Sequence, residues 1–128
     1  MKEYMKEYNK TYYQDNKSKR KKVIRSDEYY EKQKEYRASP HGKKARTFNS
    51  WKSQGIIGDY EKIYERRMNT QSCDCCNCEF KSPNDKHTDH NHKITDTDNF
   101  RNILCLRCNT LRNFIDNDYQ LVMKMLTF

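Results

Sequence analysis

Hydrophobic positions are spread unevenly along this 128-residue chain. Over the first 38 residues most large nonpolar side chains are tyrosines. Tyr4, Tyr8 and Tyr12 recur at four-residue spacing with Lys and Glu between them, and Tyr29, Tyr30 and Tyr36 follow in a second charged run. That spacing places side chains on one helical face. It predicts one or two helices with a tyrosine stripe, interrupted at Asp15-Asn16-Lys17-Ser18. Next comes Ser39-Pro40, a good N-cap followed by the one residue that suits the first helical position. Gly55 fits a helix stop. Phe48 and Trp51 share a face of that helix, and Ile56, Ile57, Tyr60, Ile63 and Tyr64 continue into a second short one. Residues 39–68 are therefore expected to form a helical hairpin packed through Trp51. Towards the end, Leu111, Phe114 and Ile115 suggest another helix. Asp118 caps a last one with Leu121, Val122, Met125 and Leu126 on one face, a stripe expected to be core.

Charge sharpens this division. Residues 1–39 hold 12 basic and 7 acidic side chains, residues 40–72 hold 7 and 3, and residues 73–128 hold 7 and 8. The net charge of +8 thus lies ahead of the apolar segment rather than on it. Leu, Ile, Val and Phe together number only 19, a fraction typical of chains that do not fold unaided. A large self-sufficient core and a membrane span are excluded, whereas a small core stapled by metal is not. The segment 1–38 is expected to be a basic, Tyr-rich extension, helical or partly disordered, that tracks a phosphate backbone, with Lys17 to Lys22 as its densest patch. The hairpin 39–68 presents Lys43, Lys44, Arg46 and Lys52 as candidate nucleic-acid contacts. Met1 to Lys10 carries no hydrophobic leader, which predicts an intracellular, reducing location where cysteines serve metals rather than disulfides.

All six cysteines lie in the third segment, 69–128. Cys73-Asp74-Cys75-Cys76-Asn77-Cys78 and Cys105-Leu106-Arg107-Cys108 offer two Cys-x-x-Cys pairs about 30 residues apart, which suits a tetrahedral four-thiolate zinc site. An iron–sulfur centre or a redox dithiol is the alternative. The first pair has two registers. The backbone after such a turn often goes left-handed, which Asn tolerates and Glu does not. Asn77 after Cys76, and likewise Asn109 after Cys108, favours Cys73, Cys76, Cys105 and Cys108 over a register using Cys75 and Cys78. Cys78 would then be a small buried residue and Cys75 a spare thiol. Between the pairs lies His87-Thr88-Asp89-His90-Asn91-His92. In a regular strand His90 and Asp89 face opposite sides, so a bulge between them is expected if both serve one site.

The run from Cys73 to Leu111 resembles the HNH nucleases of the recombination endonuclease VII type found in phages. These carry two Cys-x-x-Cys pairs bracketing Asp-His-x-His, followed by Arg-Gly-Leu-Leu-Cys-x-x-Cys-Asn. Here the motifs read Asp89-His90-Asn91-His92 and Arg101-Asn102-Ile103-Leu104-Cys105-Leu106-Arg107-Cys108-Asn109. Ser39-Pro40-x-Gly42-Lys43, Trp51-Lys52 and Gly55-Ile56 resemble, less closely, a segment that precedes this domain in related viral proteins. Two positions depart: Asn102 replaces Gly and is expected to take a glycine-like turn, and Asn91 stands where Asp is frequent.

The resemblance implies an α+β fold: a small ββα-metal (HNH) domain stapled by a four-Cys zinc, preceded by a mostly helical basic extension. It implies that Cys73, Cys76, Cys105 and Cys108 hold structural zinc. Asp89 and Asn109 would bind one catalytic divalent ion, Mg²⁺ by preference, His90 would be the general base, and His92 would touch the scissile phosphate or support the metal. A neutral imidazole and hard oxygen ligands suit phosphodiester hydrolysis independently. Arg101 joins the candidate DNA contacts. The expected activity is a metal-dependent DNA endonuclease, a hydrolase acting in the cytoplasm or nucleus of a host cell, on double-stranded or branched DNA and on no membrane. The short segment after the motif favours a nicking or homing-type enzyme over a junction resolvase, which needs a homodimer. The rival expectation is a non-catalytic zinc-stapled DNA-binding module, which leaves Asp89, His90 and Asn109 unexplained.

Overall fold

A computed structural model describes residues 2–19 and 25–128. The chain divides into two compact units, Met1–Ala38 and Ser39–Phe128. The first holds helices α1 (Lys2–Lys19) and α2 (Asp27–Ala38). The break expected at Asp15–Ser18 does not occur: α1 runs through it, with Asn16 donating to the Tyr12 carbonyl one turn back (2.9 Å). A polar, solvent-facing helix tolerates such residues because their side chains can bond along it instead of replacing its ladder. The tyrosine stripe is present and exposed, with Tyr8 and Tyr12 stacked at 6.3 Å. Much of the basic patch expected at Lys17 to Lys22 lies outside the described residues.

The second unit begins with α3 (Pro40–Gln54) and α4 (Tyr60–Asn69). Ser39 Oγ accepts the Gly42 amide (3.1 Å) at the start of α3, and Pro40 takes the first helical position. Gly55 ends the helix in the left-handed region at φ 82°, a conformation costly for any residue with a Cβ. The two helices close on Trp51, Ile56 and Ile63, all buried, with Phe48, Tyr60, Tyr64 and Phe100 around them. Trp51 meets Tyr60 edge-on at 5.6 Å, an arrangement aromatic quadrupoles favour.

Strands β1 (His87–His90) and β2 (Phe100–Leu104) pair antiparallel, and α5 (Leu106–Asn117) follows directly. This is a mixed fold in which a two-stranded sheet and one helix form the centre. Asn102 lies extended within β2, not in a glycine-like turn, because its position is a strand interior opposite Asp89. A last helix, α6 (Tyr119–Leu126), has no buried side chain. Its expected core stripe is on the surface, with Leu121, Met125 and Leu126 exposed, because no layer among the described residues covers a helix this late in the chain.

One buried polar side chain ties the hairpin to the sheet. Asn99 Oδ1 accepts the Ile57 amide (2.8 Å), and Nδ2 donates to the carbonyls of Gly55 and Ile94 (both 2.9 Å). Asn99→Ala strands three backbone groups and is expected to cost about 2–4 kcal/mol, read from denaturant unfolding of the zinc-loaded protein. A loss below about 0.5 kcal/mol would show that the turn is held without it.

Candidate metal centre and catalytic cavity

Residues 71–80 double back on themselves, with Ser72 bridged to Glu79 and the Phe80 amide bonded to the Gln71 carbonyl (2.9 Å). At the tip, the Asn77 amide bonds to the Cys73 carbonyl (3.0 Å), and Asn77 is left-handed at φ 61°. It is the only non-glycine residue among those described with positive φ, as expected for the Cys73/Cys76 register. The matching expectation for Asn109 is not met. That residue lies inside α5, because Cys105 caps the helix and its Sγ accepts the Cys108 amide (3.5 Å). The two pairs reach their common point by different local structures, a knuckle and a helix N-terminus.

Four sulfurs, those of Cys73, Cys76, Cys78 and Cys105, lie within 4.8 Å of one another. Cys108 stands outside this tightest set, and Cys78 is exposed rather than buried. The left-handed turn at Asn77 swings Cys78 back beside Cys76. The Cys76 and Cys105 sulfurs are 3.7 Å apart, close to the ~3.8 Å edge of a tetrahedron with Zn–S bonds of about 2.3 Å. The donor set therefore fits zinc.

Electrostatics around the thiols supports this. A hydrogen bond from the Cys78 amide, aided by neighbouring thiols, brings Cys76 down to about 6. The hydrogen bond with Cys76 and partial desolvation push Cys78 up to about 12. Burial and hydrogen bonds with Cys105, Cys76 and Cys73 push Cys108 up as well. Burial opposes ionisation of Cys73, but amides of Cys76, Cys105 and Cys75 outweigh it and lower its pKa. Thiolates this crowded cannot all ionise against one another, and a divalent cation removes that conflict.

The sulfur cluster adjoins a second constellation through α5. A cavity of about 180 Å³ is lined by Gln54, Thr88, Asp89, His90, His92, Asn109 and Asn113. It gathers Asp89, His90, His92 and Asn109, all four candidate catalytic residues. The register between β1 and β2 shifts between Asp89 and His90. The extra residue at that shift is Arg101, on β2, and Asp89 and His90 both line the cavity. His87 lies elsewhere, in a groove of about 260 Å³ shared with Arg46, Arg67 and Lys86.

Asp89 is 1% exposed and His90 6%. Arg101 Nη2 donates to Asp89 Oδ1 (3.0 Å) and to Asp116 Oδ2 (2.7 Å), and Arg112 approaches Asp89 at 3.7 Å. Arg101 Nε comes within 2.9 Å of Asp89 Oδ2 as an ion pair without hydrogen-bonding alignment. Burial opposes the charge on Arg101, and its bonds to Asp116 and Asp89 more than restore it. Arg101, expected to contact DNA, is thus committed to two carboxylates, and a phosphate would have to compete with them.

His90 Nε2 lies 3.1 Å from the Gln54 carbonyl, which is left free by the end of α3. A carbonyl only accepts, so the proton sits on Nε2 and Nδ1 is the basic atom. Burial and the neighbouring His92, whose ring centre is 4.2 Å away, hold His90 below the usual imidazole value, against the hydrogen bond to the Gln54 carbonyl. The neutral form of the ring is thereby favoured. Asn91 Oδ1 accepts the Lys93 amide (3.0 Å), which turns the chain after the motif.

Lys43, Arg46 and Lys52 are exposed, whereas Lys44 pairs with Glu61 and lies over the rings of Phe48 and Tyr64. Sequence reasoning missed Gln54, Arg112, Asp116 and Asn99. Backbone carbonyls and ion pairs between distant residues leave no local pattern. Among the described residues, no helix is long and apolar enough to cross a membrane.

No curated protein and no solved structure matches the chain. A family model does, from the middle of α3 to the last residue. The match over 48–128, covering the sulfur cluster, the cavity and the helix that joins them, shows that this chain belongs to the recombination endonuclease VII family of DNA endonucleases.

Proposed function

We propose that this chain hydrolyses phosphodiester bonds of DNA as an HNH enzyme, with His90 as general base and one divalent ion, Mg²⁺ by preference, held by Asp89 and Asn109. The observation that carries this reading is the single cavity lined by Asp89, His90, His92 and Asn109. The donor chemistry fits: a buried carboxylate and an amide oxygen are hard ligands. Bound there, the ion would supply charge stabilisation at the phosphoryl and departing 3′ oxygens. His90 Nδ1 takes the proton from the attacking water, while the Gln54 carbonyl keeps the ring in the required tautomer. Arg101 holds Asp89 in orientation. His92, exposed at the cavity edge, would meet the scissile phosphate. Cys73, Cys76, Cys105 and Cys108 hold structural zinc and so fix Asn109, the residue after Cys108.

The groove containing Arg46 and His87 shares Gln54 and Thr88 with the cavity. It offers a path for the DNA backbone, with Lys43 and Lys52 as outer phosphate contacts.

Supercoiled plasmid and a four-way junction, incubated side by side with zinc-loaded protein, test the proposal. Cleavage is expected with Mg²⁺ and none with EDTA. Nicking of plasmid alone points to a nicking or homing-type enzyme, and preferential cutting of the junction to a resolvase. DNA binding without metal-dependent cleavage of either would favour the non-catalytic zinc-stapled module.

A further inference from the structure

Four side-chain atoms among the described residues are buried without a hydrogen-bond partner: Thr88 Oγ1, Asp89 Oδ2, Arg101 Nε and Asn113 Oδ1. Arg101 Nε faces Asp89 Oδ2 in an ion pair. That contact accounts for both atoms; Thr88 Oγ1 and Asn113 Oδ1 remain, and Thr88, Asp89 and Asn113 all line the same cavity. Buried oxygens are nearly always satisfied, so two gathered beside a buried carboxylate at one cavity call for a partner. A carboxylate oxygen and an amide oxygen cannot satisfy each other, since both only accept. A cation held by such oxygens, with a water bound to it, satisfies the group together.

Asn113 lies four residues after Asn109 on α5, so both side chains leave the same helical face. Leu111, Phe114 and Ile115 on the same helix are exposed, whereas the Asn113 oxygen is buried. Packing alone does not demand a polar group there. We propose that Asn113 Oδ1 is a further oxygen ligand of the divalent ion held by Asp89 and Asn109, with the Thr88 hydroxyl positioned for a water on that ion. The inference rests on the metal site proposed above and adds a residue outside the motifs read from the sequence.

The test measures binding rather than cleavage. Mn²⁺ serves as the probe, by calorimetry and electron paramagnetic resonance, on zinc-loaded protein without DNA. Asn113→Leu, which keeps the volume and removes the oxygen, is expected to weaken Mn²⁺ at least tenfold. Without Mn²⁺ the same variant should melt at a higher temperature than the parent, because an unsatisfied buried oxygen has been removed. With saturating Mn²⁺ the order should reverse, since the ion stabilises only the protein that binds it. A merely structural asparagine predicts a lower melting temperature under both conditions. Unchanged Mn²⁺ affinity in Asn113→Leu overturns the inference. So does failure of both Asn113→Leu and Asn113→Ala to fold with zinc bound. Asp89→Asn and Asn109→Ala separate the two levels. If they keep parental affinity, the proposed metal site itself is wrong. If they lose it and Asn113→Leu does not, only the role of Asn113 falls.

Discussion

Replacing His90 by alanine should lower the rate of DNA cleavage by about 10²- to 10⁴-fold, the usual worth of a positioned general base. Zinc content and far-UV circular dichroism should be unchanged. The ring is 6% exposed, and its polar anchor is the Gln54 carbonyl at 3.1 Å. A carbonyl at the end of a helix that loses this donor can turn to water admitted by the shortened side chain, so the fold has little to lose. His90→Gln is the companion variant. It can keep a donor for Gln54 but has no basic atom, and should be as inactive as His90→Ala while more stable. Full cleavage by His90→Gln would remove the general-base role. Loss of zinc or of helicity in both variants would make His90 a structural residue.

Removing zinc should unfold the Ser39–Phe128 unit. Its apolar centre consists of two small groups, Trp51 with Ile56 and Ile63, and Leu104 with Cys73 and Cys108. The second is partly made of sulfur ligands. Structural zinc contributes on the order of 10 kcal/mol of apparent folding free energy, more than a core of this size can replace. Chelation is therefore expected to abolish the thermal transition of this unit, and Cys73→Ser to do the same without chelator. The fourth ligand is the discriminating position. The tightest four sulfurs include Cys78. Yet Cys108 is buried, and its amide already bonds to Cys105 Sγ, as a chelating pair requires. Cys108→Ser should lose zinc and unfold, while Cys78→Ser should bind one zinc and fold. The opposite result would exchange the two residues in the site.

Much of the site is legible in the sequence because its chemistry is local. Cys-x-x-Cys, Asp-His-x-His and Cys-Asn are contiguous, and each needs only one turn or one strand end to present its atoms. The expected register of the first cysteine pair rested on a single backbone property, the tolerance of asparagine for the left-handed region, and Asn77 adopts that conformation. The same argument failed at Asn109, since a helix start also brings two cysteines three apart together. Alternation along a strand likewise anticipated a bulge at Asp89–His90 but could not show that one forms.

Helix positions were legible where caps and breakers mark them, as at Ser39, Pro40 and Gly55. They were misread at Asp15–Ser18, where polar residues bond along the helix instead of ending it. The apolar stripe of α6 shows the limit of periodicity. It identifies a helical face, and whether anything covers that face depends on the rest of the molecule.

By itself, then, the sequence determined the ligand types, their order and the separation of a basic amino-terminal half from a nearly neutral nuclease half. Those follow from composition and short-range geometry. The tertiary structure alone decided that the Gln54 carbonyl sets the His90 tautomer, that Arg101 serves Asp89 and Asp116, that Asn99 joins hairpin to sheet, and that Asn113 turns an unsatisfied oxygen into the cavity. Each depends on bringing together groups between 12 and 44 residues apart, or on burial that leaves an atom without water, and neither is written in any local pattern.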